Sequence, residues 1–238
     1  MSAVNVVQTV DVKELMDKIK SKGYWRVNIR PTKFDKSQIE SPSRCWELVE
    51  SNKVSLRGWD YPYVGQKERV DGEDSIQSGF DLDRFGHREF WRFYQSGQFI
   101  HYFACKEDYR MPDRIGRDSS RGMSILSTLY SVTEIFEFAA RLAQKEVLKP
   151  KLQISIKLVG MEGRELFFWS ANRDLRFPYI CDKGEMSFNE ELSLTEIMAE
   201  GHNKALDITV RILETFNWQN PSRSVLAEDQ QRFLQKRL

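Results

Sequence analysis

Arg88-Glu89-Phe90-Trp91-Arg92-Phe93-Tyr94 and Phe99-Ile100-His101-Tyr102-Phe103-Ala104-Cys105 flank Gln95-Ser96-Gly97-Gln98. Two aromatic, alternating runs on either side of a turn containing Gly predict an antiparallel β-hairpin. In the first strand one face carries Arg88, Phe90, Arg92 and Tyr94, and the other carries Glu89, Trp91 and Phe93. The second face is the better core. The first has the Arg and aromatic content of an amphipathic contact surface.

Upstream, Val12, Leu15, Met16 and Ile19 recur at helical spacing from Asp11 to Lys22, and Gly23 stops the helix. Tyr24 to Arg30 alternates as a strand ended by Pro31. Ser41-Pro42 opens a second helix carrying Cys45, Trp46, Leu48 and Val49. Val54 to Arg57 reads as a strand, Gly58 to Pro62 as an aromatic turn, and residues 65–80 as a polar loop.

Downstream, residues 106–122 are charged and carry Pro112, Gly116 and Gly122, as a long loop or linker does. A main helix follows and ends near Lys149-Pro150. Its apolar stripe is Ile125, Leu129, Val132, Phe136, Ala139 and Ala143. Leu152–Leu158 and Arg164–Trp169, around Gly160 and Gly163, read as a second hairpin. An irregular stretch runs from Pro178 to Phe188. A long helix then spans Ser193 to about Thr215, and a last amphipathic helix spans Val225 to Leu238 and docks on the body.

Ser131-Val132-Thr133-Glu134-Ile135 and Ser193-Leu194-Thr195-Glu196-Ile197 are near-copies, each with the Ser-x-x-Glu spacing of a capping box. The two Ser lie 62 residues apart and Gly97 and Gly163 lie 66 apart, so a duplicated strand–strand–helix unit would account for both offsets. Two ordinary caps after two ordinary hairpins would account for them equally. The expected fold is α+β: antiparallel β-hairpins packed against two long amphipathic helices. Residues 1–122 and 123–238 are the natural halves, as two parts or one continuous domain.

The chain has 238 residues, 40% hydrophobic and 30% charged, with 36 Lys plus Arg against 35 Asp plus Glu. Disorder and a global pull toward nucleic acid or anionic lipid are both disfavoured by that balance. No apolar run approaches the ~18 residues of a membrane span. The N-terminus has neither a basic start nor a long apolar run, and three scattered Cys make no disulfide framework, so a cytoplasmic chain is expected. Charge is uneven locally. Asp11–Lys36 holds eight basic and four acidic residues, and Asp60–Phe90 holds eight acidic and four basic. Such segments serve as solvated faces or, in the basic case, as a strip for phosphates.

Motifs for a P-loop, a dinucleotide fold, a nucleophile elbow and a His/Cys metal site are all missing. His101 and Cys105 on one strand would stand roughly 13 Å apart, at about 3.3 Å per residue. That is too far to share an ion. No cofactor and no metal site is expected.

Two constellations remain. Arg57, Trp59, Tyr61, Arg88, Phe90, Arg92 and Tyr94 interleave aromatic and basic side chains, a composition that suits a protein partner or a second copy, and secondarily unpaired bases. Asp81, Asp83, His87 and Glu89 lie within nine residues and hold the groups for Mg²⁺ binding or acid–base work on nucleic acid. A charged surface turn with Arg84 and Arg88 paired to the acids has the same composition. The leading expectation is a non-enzymatic binding or adaptor protein. Its rival is a Mg-dependent enzyme acting on nucleic acid.

Overall fold

The computed structural model of the chain describes residues 11–65, 68–82, 86–109, 121–169 and 173–236. Its frame is one antiparallel sheet of seven strands. In chain order these are β1 (Tyr24–Pro31), β2 (Val70–Asp71), β3 (Ser75–Leu82), β4 (His87–Tyr94), β5 (Phe99–Ala104), β7 (Lys151–Val159) and β9 (Glu185–Ser193). They lie side by side as β2-β3-β4-β5-β1-β7-β9. The short β6 (Gly122–Ser124) and β8 (Glu165–Phe167) form a separate parallel pair.

The β4–β5 hairpin forms where the alternation puts it, with Trp91 opposite His101 and Phe93 opposite Phe99. Gly97 takes φ +79 in its turn, where L-residues with a Cβ are strained, and its N–H donates to the Tyr94 carbonyl at 2.9 Å. Glu89, Trp91 and Phe93 point to the main core.

Among the described residues, five helices complete the α+β fold: α1 (Val12–Lys20), α2 (Pro42–Asn52), α3 (Ile125–Gln144), α4 (Leu194–Glu214) and α5 (Arg223–Leu234). The long α3 and α4 pack on each other, and their apolar sides share one core with the sheet and α2. The expected α3 stripe from Ile125 to Ala143 is buried throughout. The α5 helix docks on the body, with Phe233 stacked on Tyr130 at 4.1 Å. The opposite sheet face is covered locally by α1, whose Leu15 and Ile19 pack on Phe90. No helix among the described residues is long and apolar enough to cross a membrane.

Several local expectations change. Val54 to Arg57 is not a strand, since only a single bridge joins Val54 to Tyr61. The stretch 65–80 contains β2 and the start of β3, because a mixed polar sequence is stabilised by pairing with β4. The second hairpin does not form. Leu152, Ile154, Ile156 and Leu158 make β7 an interior strand that pairs with both β1 and β9. The Gly160 N–H meets the Gly184 carbonyl at 2.8 Å, and β8 turns away to pair with β6. The Ser193–Glu196 capping box is present on α4, but α3 begins six residues before Ser131 and is capped by Ser124. The charged stretch after β5 opens with a 3-10 turn, Lys106–Asp108, and ends in β6; residues 110–120 lie outside those described.

One buried ion pair ties distant segments. Arg164 Nη2 lies 2.5 Å from Asp108 Oδ2, while its other nitrogens donate to the Gly160 and Gly122 carbonyls at 2.7 and 3.1 Å. Asp108 Oδ2 also accepts the Gly23 N–H at 2.9 Å. A Cβ on Gly23 would collide with the guanidinium, so the residue that stops α1 also makes room for the pair. The turn that carries Lys106 is therefore anchored from three sides.

Candidate active site

A strand in a half-covered sheet projects every second side chain to one face. On β4 this sends His87 and Glu89 toward α3, beside the apolar Trp91 and Phe93, and on β5 it sends His101 the same way. Three polar side chains thus enter an otherwise aromatic layer. His87 Nε2 lies 2.5 Å from Glu89 Oε2, and His101 Nε2 lies 3.7 Å from Glu89 Oε1. The second distance is beyond a hydrogen bond but close enough for charge attraction. Glu89 Oε1 also accepts the Tyr63 N–H at 2.6 Å, and Trp91 Nε1 donates to the Tyr63 carbonyl at 2.7 Å. These two bonds pin the loop after α2, which delivers Arg57, Trp59 and Tyr61 to the same cleft.

From the other wall, α3 contributes Ser131 and Glu134, three residues apart and so on one helix face. Arg57 Nη2 reaches Glu134 Oε2 at 2.7 Å and Ser131 Oγ at 3.0 Å. The apparent second capping box is thus an Arg57 clamp in mid-helix. The 3-10 turn after β5 supplies Lys106, whose Nζ stands 4.0 Å over the Trp59 ring. The same indole meets the His87 ring edge-on at 4.4 Å. The free space enclosed in the cleft is about 40 Å³, and the rest of the gap is open to solvent.

Burial and neighbouring charge set the protonation states. Burial would raise the Glu89 carboxyl, but His87 and His101 outweigh it and hold Glu89 below the usual carboxylate range. Burial, then repulsion from Arg57, brings the Lys106 amine down to about 7 against the pull of Glu134, Glu89 and Glu107. Burial pushes Glu134 up despite Arg57 and Lys106. It also pushes the Tyr61 hydroxyl and the Cys105 thiol up, so that thiol is unreactive. Among the described residues, the buried polar atoms without a hydrogen-bond partner include several of the cleft: His87 Nδ1, both ring nitrogens of His101, Tyr61 Oη, Arg57 Nε and Glu134 Oε1. Buried polar groups are normally satisfied, so these atoms make the cleft the candidate site for a polar molecule.

The two constellations read from the sequence are each divided. Of the seven aromatic and basic residues, Arg57, Trp59 and Tyr61 line the cleft, and Arg88 also borders it. On β4, Arg88, Phe90, Arg92 and Tyr94 alternate onto the far face. Phe90 is buried under α1, and Arg88 pairs with Asp81 at 2.9 Å with its guanidinium 4.1 Å over Tyr109. Arg92 and Tyr94 are half-buried, with Arg92 bonded to Gln77 and Tyr94. The seven therefore do not form one surface. Of the acidic group, His87 and Glu89 meet in the cleft. Asp81 faces α1 and pairs with Lys18 at 3.1 Å, and Asp83 lies outside the described residues. Strand alternation explains the split, because Asp81 is opposite Arg88 and not Glu89. Among the described residues, no three His, Cys, Asp or Glu side chains are placed to hold one metal ion.

Sequence reading missed Lys106, Ser131 and Glu134 and gave His101 no place in a site. Two signals existed. His101 interrupts the apolar face of β5, and Glu134 follows Val132 and Thr133 inside a buried helical stripe. Comparison with protein-family models, curated proteins and solved structures finds no match to the chain.

Proposed function

We propose that the chain is an enzyme that performs proton-transfer chemistry on a small polar molecule held between the sheet and α3. The observation that carries this reading is the buried His87–Glu89 pair in the cleft, with His101 and the clamped Arg57–Glu134 pair around it. An ionised carboxylate bonded to one imidazole nitrogen fixes the ring's tautomer and leaves the other nitrogen to exchange a proton. His87 Nδ1 is that nitrogen, and it has no hydrogen-bond partner. A macromolecular contact surface draws less support, since its residues divide between the cleft and the α1 side of the sheet.

The test is turnover of a metabolite extract by the full chain, followed by untargeted mass spectrometry, with Glu89→Gln in parallel. At least one small metabolite is expected to be consumed by the natural protein and roughly 10²-fold or more slower by the variant. An extract left unchanged by the natural protein, or consumed equally by both, would overturn the proposal.

A further inference from the structure

Lys106 lines the cleft and has no part in the acid–base reading. Among the described residues its ammonium has no ion pair, and it rests over the face of Trp59. The carboxylates that attract it, Glu134, Glu89 and Glu107, are each engaged elsewhere. Glu134 holds Arg57, Glu89 holds His87, and Glu107 Oε1 accepts the Ser124 N–H at 3.3 Å. The amine is thus held against an indole plate that excludes water, in a cleft that also contains an imidazole–carboxylate pair on the same indole. Amines kept out of water near another cation are the ones that attack carbonyl carbon.

We propose that Lys106 is a nucleophile that forms an imine with an aldehyde or ketone bound in the cleft; this rests on the site being catalytic, as argued above. The lone pair of the neutral amine attacks the carbonyl carbon and forms a C–N bond. The π pair moves to oxygen, which takes up a proton. The carbinolamine then loses its hydroxyl as water once a second proton is delivered, and the nitrogen releases its protons, leaving C=N. One carbonyl compound and one amine give one imine and one water, with no oxidant or reductant. The charges acting on the amine are Arg57 from the loop after α2, Glu134 from α3, Glu89 from β4 and Glu107 from its own turn. The proposal assigns the proton transfers to His87, which lines the same cleft and meets the same indole edge-on.

The test is reductive trapping on the full natural chain with sodium cyanoborohydride and either propanal or pyruvate at pH 6.5, followed by peptide mapping. An ordinary exposed lysine is neutral only about once in 10⁴ at that pH. Lys106 should be labelled about 10²-fold or more faster than the exposed Lys13 and Lys33 by at least one probe. Its rate should level off above about pH 7 while theirs keep rising. Labelling of Lys106 no faster than Lys13 and Lys33 with both probes would overturn the proposal. The natural chain separates the two readings: fast labelling of Lys106 in a natural chain that leaves the extract unchanged, or that Glu89→Gln matches in turnover, sustains the nucleophile and removes the His87–Glu89 role.

Discussion

Lys106 costs the fold free energy, and the direction of that cost with pH can be worked out. Its amine is brought from 10.5 down to about 7 in the folded chain, chiefly by burial and then by Arg57. Above about 10.5 both the folded and unfolded chains hold it neutral and no penalty exists. As the pH falls toward 7 the unfolded chain binds a proton that the folded chain refuses, so stability drops. Below about 7 the penalty is constant. Lys106→Met removes the charge and keeps most of the stem. Its stability relative to the natural chain should therefore be more favourable at pH 6 than at pH 9, by roughly 2 kcal/mol. Thermal melts of both proteins at the two pH values give that difference, and an equal offset at both would contradict the burial of the amine. The side chains of the site differ in how readable they were. His87 and Glu89 could be selected because they stand two apart on a strand that already alternates. Lys106, Arg57 and Glu134 come from a turn, a loop and a helix, 28 or more residues apart, and their meeting is a property of packing.

At the scale of elements, what was legible is what local spacing determines. α1, α2, α4 and the β4–β5 hairpin follow from caps, periodicity and a Gly turn. β3 was not legible, because Ser75-Ile76-Gln77-Ser78-Gly79-Phe80 is held as a strand by pairing with β4 and not by its own propensity. The partner of β7 was not legible either. An apolar strand can pair with the next segment or with a distant one, and here β1 and β9 outcompete β8. The two Ser-x-x-Glu sites show the same limit on a finer scale. At Ser193 the side chain accepts the Glu196 N–H at 3.2 Å, and Glu196 returns to the Ser193 N–H at 2.7 Å. At Ser131 the same letters fall inside a helix that has already begun, and both side chains turn to Arg57. Ser193→Ala and Ser124→Ala should each cost about 1 kcal/mol in urea unfolding, as loss of a cap does. A cost below roughly 0.3 kcal/mol in both would show that these helices start elsewhere.

Over the whole molecule, the sheet runs through the boundary that composition placed near residue 122. β1 lies between β5 and β7 and is in register with β7 from Tyr24–Val159 to Pro31–Leu152. The Asp108–Arg164 pair fastens the same seam from a second point, with Gly23, Gly122 and Gly160 as its backbone partners. Two halves that share a central strand pair and a core cannot lose one without exposing the other. Unfolding should accordingly be a single transition. The two natural probes report on different halves. Trp25, Trp46, Trp59 and Trp91 dominate the fluorescence from the first, while α3, α4 and α5 give most of the helical circular dichroism from the second. The two urea curves should coincide for the natural chain. In Arg164→Met, where Asp108 is left buried without its partner, they should shift together by about 3 kcal/mol or more. Curves that separate in the natural chain would mean that the halves fold independently, and the cleft would then lie at a joint free to open. Coincident curves would mean that the Lys106 turn, the β4 pair and α3 keep one fixed geometry, as a preorganised site requires.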